Sequence, residues 1–148
     1  GVIIGLGGVA AHSHKDYARD AAGYMNRPRV AQNLSAVTAA CILMRREVYE
    51  EIGGMDEGYQ VAFNDADFCV RIRHHGNKIV FTPFAELHHD ESKSRGIEDT
   101  PEKAERFESE VQRFKKEWPG LLAHGDPYYN PNLTTAKEDF DIKEELKG

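Results

Sequence analysis

The sequence has only two cysteines among its 148 residues, Cys41 and Cys69, and it contains no Cys-x-x-Cys pair. This scarcity excludes a disulfide framework and a zinc knuckle. Both cysteines lie in apolar segments, so they are predicted to be buried free thiols in a reducing compartment. No apolar run is long enough to span a bilayer and no signal peptide is recognisable, so no transmembrane segment is expected here.

The chain has too few basic residues for a nucleic-acid partner. Lys and Arg number 19 against 25 Asp and Glu, which gives a formal net charge of −6. Because phosphate binding requires a surplus of positive charge, nucleic acid is excluded as the expected partner. Hydrophobic residues at 40% and charged residues at 30% are typical of a globular chain, and the length suits one domain with a core.

Local patterns in the first half of the chain predict a loop, a strand and a helix. Residues 12–29 are polar and without a clear period, which indicates a long loop. The apolar run 37–44 favours a buried strand. Residues 46–52 favour a short helix, and Gly53 and Gly54 supply the left-handed conformation that ends it.

The second half predicts two helices, a strand and a terminal arm. Asn64 is predicted as the N-cap of a helix, and 78–84 follows as a strand. Thr100 and Pro101 mark the start of a long helix whose apolar side chains recur every three or four residues. Residues 124–148 are predicted to form an arm that lies over the surface and frays at its end.

Two motifs near the start suggest binding sites, and each has a simpler interpretation. Residues 5–10, Gly-Leu-Gly-Gly-Val-Ala, fit the G-x-G-x-x-A pattern of dinucleotide loops. That loop requires an amphipathic helix directly after it, and none is predicted, so a glycine-rich turn is the preferred interpretation. His12 and His14 would share one side of an extended segment, as metal-binding imidazoles do, but a solvated loop is the preferred interpretation.

Asp65 and Asp67 lie two positions apart at the start of the predicted second helix. Side chains at that spacing point in nearly opposite directions, so the pair cannot chelate one ion. Asp67 is predicted to form a surface ion pair with Arg71. Asp65 borders the apolar stripe, so its carboxylate would be partly desolvated, and it is either a general base or a helix-capping residue.

A pair of histidines, His88 and His89, closes the predicted second strand and precedes a polar loop. Alternation along the strand turns His89 inward, where a histidine is more often a hydrogen-bonded core residue than a metal ligand. The loop carries Ser92, Lys93 and Arg95, whose hydroxyl and cationic groups suit phosphate oxygens. The alternatives here are a core histidine and a metal–phosphate site.

Taken together, these segments resemble the C-terminal half of family 2 glycosyltransferases of the GT-A fold, above all bacterial enzymes of O-antigen and rhamnan assembly. The resemblance runs in order through "SAVTAAC", "RREVYEEIGGMDE", "AFNDADF", "GNKIVFTP" and "HHDESKSRG", and extends to "DPYYNPNLT". It implies an α/β fold for residues 1–148, namely the C-terminal portion of a GT-A fold, with a mixed sheet and packed helices.

The resemblance also implies roles for matching residues. Asp65 matches the catalytic base that deprotonates the acceptor hydroxyl, and Asn64 stands where Glu is common. Asp67 matches a second acid on the same helix. His89, with His88 as the near alternative, matches the histidine that completes the coordination of Mn²⁺ or Mg²⁺.

Further matching residues are implied to contact the substrates. Thr38 lies in the segment beside the acceptor and the donor sugar, and Asp56 and Glu57 lie in the acceptor-side loop. Hydroxyl and cationic groups would face the leaving diphosphate. The residues that supply these groups are Ser92, Lys93 and Arg95.

The implied reaction transfers a sugar from a nucleotide-diphospho-sugar to a hydroxyl of a glycan or lipid-linked acceptor, with inversion. The implied setting is polysaccharide synthesis in the cytoplasm, including the inner face of the membrane. The nucleotide-binding half of such enzymes has no counterpart before residue 37, and the chain opens on "GVIIG" without methionine. We therefore expect a piece of a longer enzyme. The Q-x-x-R-W motif of processive enzymes is absent, which favours single addition.

Two other classes stay open. One is a non-catalytic carbohydrate- or protein-binding module derived from that fold, which Asn64 and the absent nucleotide half favour. Exposed strand edges and apolar faces would then promote self-association. The other is a metal hydrolase built from His12, His14, His89 and Asp65, which requires these side chains to converge.

Overall fold

The computed structural model describes residues 1–88 and 100–148, and its strands form two small antiparallel sheets. β1 (Val2–Ile4) pairs with β2 (Ala10–His12). β3 (Gln32–Leu34) pairs with β4 (Ile79–Phe81), which confirms the centre of the strand predicted over 78–84. Four helices accompany the sheets, so the described residues form a mixed α/β fold.

The glycines between β1 and β2 form a tight turn. Gly5, Gly7 and Gly8 have φ angles of +90°, +64° and +88°, a region that glycine enters without steric strain. A short 3-10 turn, Leu6–Gly8, leads directly into β2. The predicted glycine-rich turn is thus confirmed, and a strand stands where a dinucleotide loop would need a helix.

The four helices are α1 (Arg46–Glu51), α2 (Asn64–His74), α3 (Pro101–Glu117) and α4 (Pro119–His124). The helix predicted over 46–52 is confirmed, and it ends where Gly53 and Gly54 adopt φ angles of +76° and +72°. Within the described ranges, no helix has the length and apolar character needed to cross a membrane.

The start of α2 differs from the prediction. Phe63, with φ +62°, is the N-cap residue, and Asn64 is the first helical residue. The Asn64 side chain accepts a hydrogen bond from the Asp65 N–H at 2.7 Å, but no side chain caps this helix, so the predicted N-cap is wrong. The helix itself is held by a buried stripe that packs into the main core. The apolar members of this stripe are Ala66, Phe68, Cys69, Val70 and Ile72.

The start of α3 agrees with the prediction. Thr100 has an extended backbone, and its hydroxyl accepts a hydrogen bond from the Lys103 N–H at 3.4 Å. Pro101 occupies the first turn, where its missing N–H is not needed. Val111 and Phe114 are buried in the main core, as their spacing predicted.

The strand predicted over 37–44 is wrong. These residues form no strand, and the sheet contact before them is a single bridge between Val2 and Ala36. Leu43 is 97% exposed, whereas Ile42 and Met44 are partly buried against the core. An apolar run becomes a strand only when a neighbouring strand takes up its backbone hydrogen bonds, and no strand among the described residues pairs with this run.

The C-terminal segment contributes a second apolar cluster. Tyr129, Leu133 and Phe140 are buried together with Ile3 and Leu6, under the β1–β2 hairpin. The segment predicted as a surface arm, 124–148, therefore supplies buried side chains of its own.

Candidate functional site

Asp65 lies in the first turn of α2 and is partly buried. Its Oδ2 accepts a hydrogen bond from the Ala39 N–H at 3.3 Å, and its Oδ1 accepts one from the Ala66 N–H at 2.8 Å. The first bond joins α2 to residues 37–41, the segment that contains Thr38. The structure therefore brings together the predicted base and one predicted acceptor-binding residue.

Residues 37–41 are held on α2 from a second point. The Cys69 thiol donates to the Val37 carbonyl at 3.6 Å. Burial, as the largest cause, raises the pKa of the Cys69 thiol to about 11, so it is an inert packing group. Thr38 is exposed, and its Oγ1 accepts from the Ala40 N–H at 3.3 Å. Cys41 is exposed, contrary to the prediction, because its segment is not a buried strand.

Asp67 occupies a different environment from Asp65. Its side chain is 1% exposed, and its Oδ2 accepts from the Arg71 Nε at 2.8 Å. The Trp118 Nε1–H donates to its Oδ1 at 3.0 Å. The predicted pair with Arg71 is confirmed, but its place on the surface is wrong, because Asp67 is buried and also bonded to the Trp118 indole. Both Asp67 oxygens are therefore engaged by protein groups.

Arg71 extends the Asp67 pair to the loop before α2. Its Nη1 donates to the carbonyls of Ile52 at 2.9 Å and Gly54 at 2.7 Å. A buried ion pair that also bonds two backbone carbonyls fixes the loop on the helix. Arg71 therefore ties the end of α1 to the middle of α2.

The predicted acceptor-side loop has one engaged and one available carboxylate. Asp56 accepts from the Gly58 N–H at 2.7 Å and forms an ion pair with the Arg113 Nη2 at 2.7 Å. Glu57 is exposed. Nearby, Tyr59 donates to the Glu117 carboxylate at 2.6 Å, and burial followed by this bond raises the Tyr59 pKa. Asp56 thus holds the loop, and Glu57 is the exposed carboxylate beside it.

Glu110 of α3 is a residue that the sequence reasoning missed. Its side chain is 3% exposed, and its two oxygens accept from the N–H groups of Val61 and Ala62, each at 2.9 Å. One signal could have found it. Glu110 lies three positions after Phe107 and four before Phe114, so it is a charged residue on the apolar face of the helix.

The histidines do not converge with Asp65 in the part of the chain that the structure describes. His14 Nε2 accepts from the Tyr24 N–H at 3.1 Å, and its ring packs against Phe140 with centroids 4.6 Å apart. Burial lowers the pKa of His14. Across 1–88 and 100–148, no group of three or more His, Cys, Asp or Glu side chains could hold a metal ion. Four residues with predicted roles lie outside these ranges: His89, Ser92, Lys93 and Arg95.

An apolar cavity of about 620 Å³ lies between residues 37–45 and β4. Thr38 contributes to its wall and Asp65 does not. Leu43 is 97% exposed and Leu87 69% exposed at its rim. Such a surface is consistent with the self-association expected of this chain, which stays a prediction.

Similar curated proteins include the following three. The uncharacterized protein y4gI of Sinorhizobium fredii is 50% identical over 141 residues, which are 95% of this chain and 15% of that protein. The O-antigen biosynthesis protein RfbC of Myxococcus xanthus is 35% identical over 147 residues, 97% of this chain and 11% of that protein. An N-acetylglucosaminyl-diphospho-decaprenol L-rhamnosyltransferase of Mycobacterium tuberculosis is 33% identical over 60 residues, 40% of this chain and 20% of that protein.

The chain thus spans a small part of the length of these relatives. No solved structure matches it. Residues 8–115 match the family described as "Glycosyltransferase like family 2". This match takes in the segment 37–41, α1, α2 and Asp65 itself. The chain therefore belongs to glycosyltransferase family 2.

Proposed function

We propose that residues 1–148 form the C-terminal, acceptor-side part of a GT-A-type glycosyltransferase. The enzyme would transfer a sugar from a nucleotide-diphospho-sugar to a hydroxyl of a glycan or lipid-linked acceptor, with inversion, in the cytoplasmic synthesis of a cell-surface polysaccharide. Family membership supports the reaction class. The names of the relatives from M. xanthus and M. tuberculosis support glycan synthesis and a lipid-linked acceptor.

One observation carries the proposal. Of the two carboxylates in the first turn of α2, Asp67 is buried and bonded to Arg71 and Trp118, whereas Asp65 is partly exposed beside Thr38. The Asp65 oxygens in the described structure accept hydrogen bonds from backbone N–H groups. A general base needs a carboxylate that the acceptor hydroxyl can reach, and the partly exposed Asp65 meets this geometric requirement.

The proposed step moves one proton and one glycosyl group. The acceptor O–H gives its proton to an Asp65 oxygen while the acceptor oxygen attacks the anomeric carbon. The bond from that carbon to the nucleoside diphosphate breaks, and the diphosphate leaves with the electron pair. Attack from the face opposite the leaving group inverts the anomeric configuration. Glu57 and Thr38, both exposed, would orient the acceptor beside Asp65.

A divalent ion, Mn²⁺ or Mg²⁺, belongs to the proposal for the complete enzyme, where it would supply positive charge to the leaving diphosphate. The described residues provide no ligand cluster that fits such an ion. The residues proposed for the ion and the diphosphate lie between the two described ranges, namely His89, Ser92, Lys93 and Arg95. The proposed proton transfer from the acceptor hydroxyl therefore involves Asp65 and none of these residues.

Replacement of the base tests the proposal directly. In the full-length enzyme, Asp65→Asn removes the proton acceptor and keeps the side-chain shape, so we expect kcat to fall by roughly 10²- to 10⁴-fold. Donor binding, measured by calorimetry with the nucleotide sugar, should stay unchanged. Glu47→Gln, the same carboxylate-to-amide change at an exposed position of α1, is the control and should keep full turnover.

Turnover of Asp65→Asn within a few-fold of the wild type would contradict the base assignment. If the wild-type protein transfers no sugar from any nucleotide sugar but still binds a glycan, the non-catalytic carbohydrate-binding module takes the place of the transferase.

A further inference from the structure

The segment that leads into α2 does not hold its own conformation. Phe63 has φ +62°, a strained region for a residue with a Cβ, and no side chain caps the first turn of the helix. A residue in this region persists only when surrounding structure holds it there. The position of Asp65, two residues later, therefore depends on contacts supplied from elsewhere in the chain.

Those contacts come from α3. Glu110 binds the N–H groups of Val61 and Ala62 with its two oxygens, both at 2.9 Å. The Phe63 ring packs on Phe107 and Phe114, with centroids 5.6 and 5.8 Å apart. One polar clamp and one aromatic contact thus fix three consecutive residues, 61–63, immediately before α2.

The same face of α3 holds the rest of the acceptor-side loop. Arg113 pairs with Asp56 at 2.7 Å and lies over the Tyr59 ring at 4.8 Å from its centroid. Glu117 accepts from the Tyr59 hydroxyl at 2.6 Å. These two groups are partly exposed, whereas Glu110 is buried and bonds backbone atoms directly before the helix.

We infer that Glu110 is a positioning residue, which sets the start of α2 and thereby aims the Asp65 carboxylate at the acceptor. The inference rests on the proposed role of Asp65 as the base. A carboxylate is suited to the task because it accepts two N–H groups at once. An amide in its place has one oxygen, and its NH₂ group would face the second N–H and repel it.

The inference predicts that Glu110→Gln lowers the kcat of the full-length enzyme by roughly 10- to 100-fold, because a small misplacement of a catalytic group costs rate on this scale. The donor KM should stay within about 2-fold. Glu108→Gln, on the exposed side of the same helix, is the control and should keep the wild-type kcat.

A double-variant cycle separates positioning from simple stabilisation of the fold. If Glu110 acts through Asp65, then Glu110→Gln should have little further effect on the kcat of an enzyme that already carries Asp65→Asn. Hydrogen exchange at the amides of Val61 and Ala62 should be faster in Glu110→Gln. Should that variant fail to fold, Glu110→Asp keeps the charge but is too short to reach both amides, and it should show the same pattern.

The kcat values and hydrogen-exchange rates of these variants distinguish a positioning role from a purely structural one. An equal loss of kcat in both backgrounds, together with general loss of protection, means that Glu110 only stabilises the fold and overturns the inference. If Glu110→Gln is fully active and Asp65→Asn is inactive, the positioning role of Glu110 is wrong and the base assignment of Asp65 stands. An active Asp65→Asn enzyme overturns the proposed base, and the positioning role with it.

Discussion

At the scale of single residues, Asp65 and Asp67 show how two identical side chains reach different environments. Successive helix positions are turned by about 100°, so residues two apart face nearly opposite directions. One direction leads to Arg71 and Trp118 in the interior, and the other leads to Ala39 at the edge of a partly exposed site. The sequence predicted this divergence and the Arg71 pair. Burial of the pair was not predictable, because Trp118 lies 51 positions away.

Because Asp67 is buried, we expect its substitution to lower the free energy of unfolding. Asp67→Asn leaves the Arg71 guanidinium without its counter-charge, so the free energy of unfolding should fall by about 3–5 kcal/mol. Urea denaturation followed by circular dichroism measures the change. Glu50→Gln breaks a pair with Arg46 that is 4.0 Å long with side chains 63% and 85% exposed, so it should change the value by about 0.5 kcal/mol or less. Equal effects of the two variants would contradict a buried role for Asp67.

At the scale of elements, predictions succeeded where the signal is local. The stop of α1, the cap of α3 and the glycine turn each depend on the backbone preferences of two or three adjacent residues. The predicted strand 37–44 failed because a strand needs a partner, which its own residues do not specify. The N-cap of α2 was misplaced by one residue because contacts from α3 hold Phe63 in an unusual conformation.

The stop of α1 offers a matched pair of variants. Gly53 and Gly54 have φ angles of +76° and +72°, so an alanine at either position should cost about 1–2 kcal/mol. Gly54→Ala should cost more, because its Cβ would lie 2.9–3.2 Å from atoms of the Tyr49 ring, whereas nothing lies within 4 Å of a Cβ at Gly53. Chemical denaturation of both variants checks the order. A smaller loss for Gly54→Ala than for Gly53→Ala would contradict this account.

At the scale of the whole molecule, the C-terminal segment closes the fold on its beginning. The Asp126 carboxylate accepts from the Ile4 N–H at 2.9 Å and from the Ser35 hydroxyl at 2.6 Å. Ser35 in turn accepts from Arg73 of α2 at 3.1 Å. Residues from both ends of the chain and from α2 thus share one network, which positions the hairpin and the helix that carries Asp65.

A substitution at Phe140 tests whether residues 124–148 belong to the core. It is 7% exposed and packs against the rings of His14, Tyr24 and Tyr129. Phe140→Ala should therefore lower the free energy of unfolding by about 3–5 kcal/mol. Phe84→Ala, the same change at a side chain that is 87% exposed, should alter it by about 0.5 kcal/mol or less. A loss at Phe140 no larger than at Phe84 would show that the segment only lies over the surface.

The sequence by itself determined what short-range physics controls: the start of α3, the stop of α1, the turn of glycines and the opposite directions of Asp65 and Asp67. It also carries the ordered motifs that resemble the family. Tertiary structure decided which of these residues are available to a ligand. Trp118 covers Asp67, Arg113 engages Asp56, and Glu110 clamps the residues before α2. These contacts join residues about 50 positions apart, and a pattern of neighbouring residues carries no information about which distant groups will remove them from water.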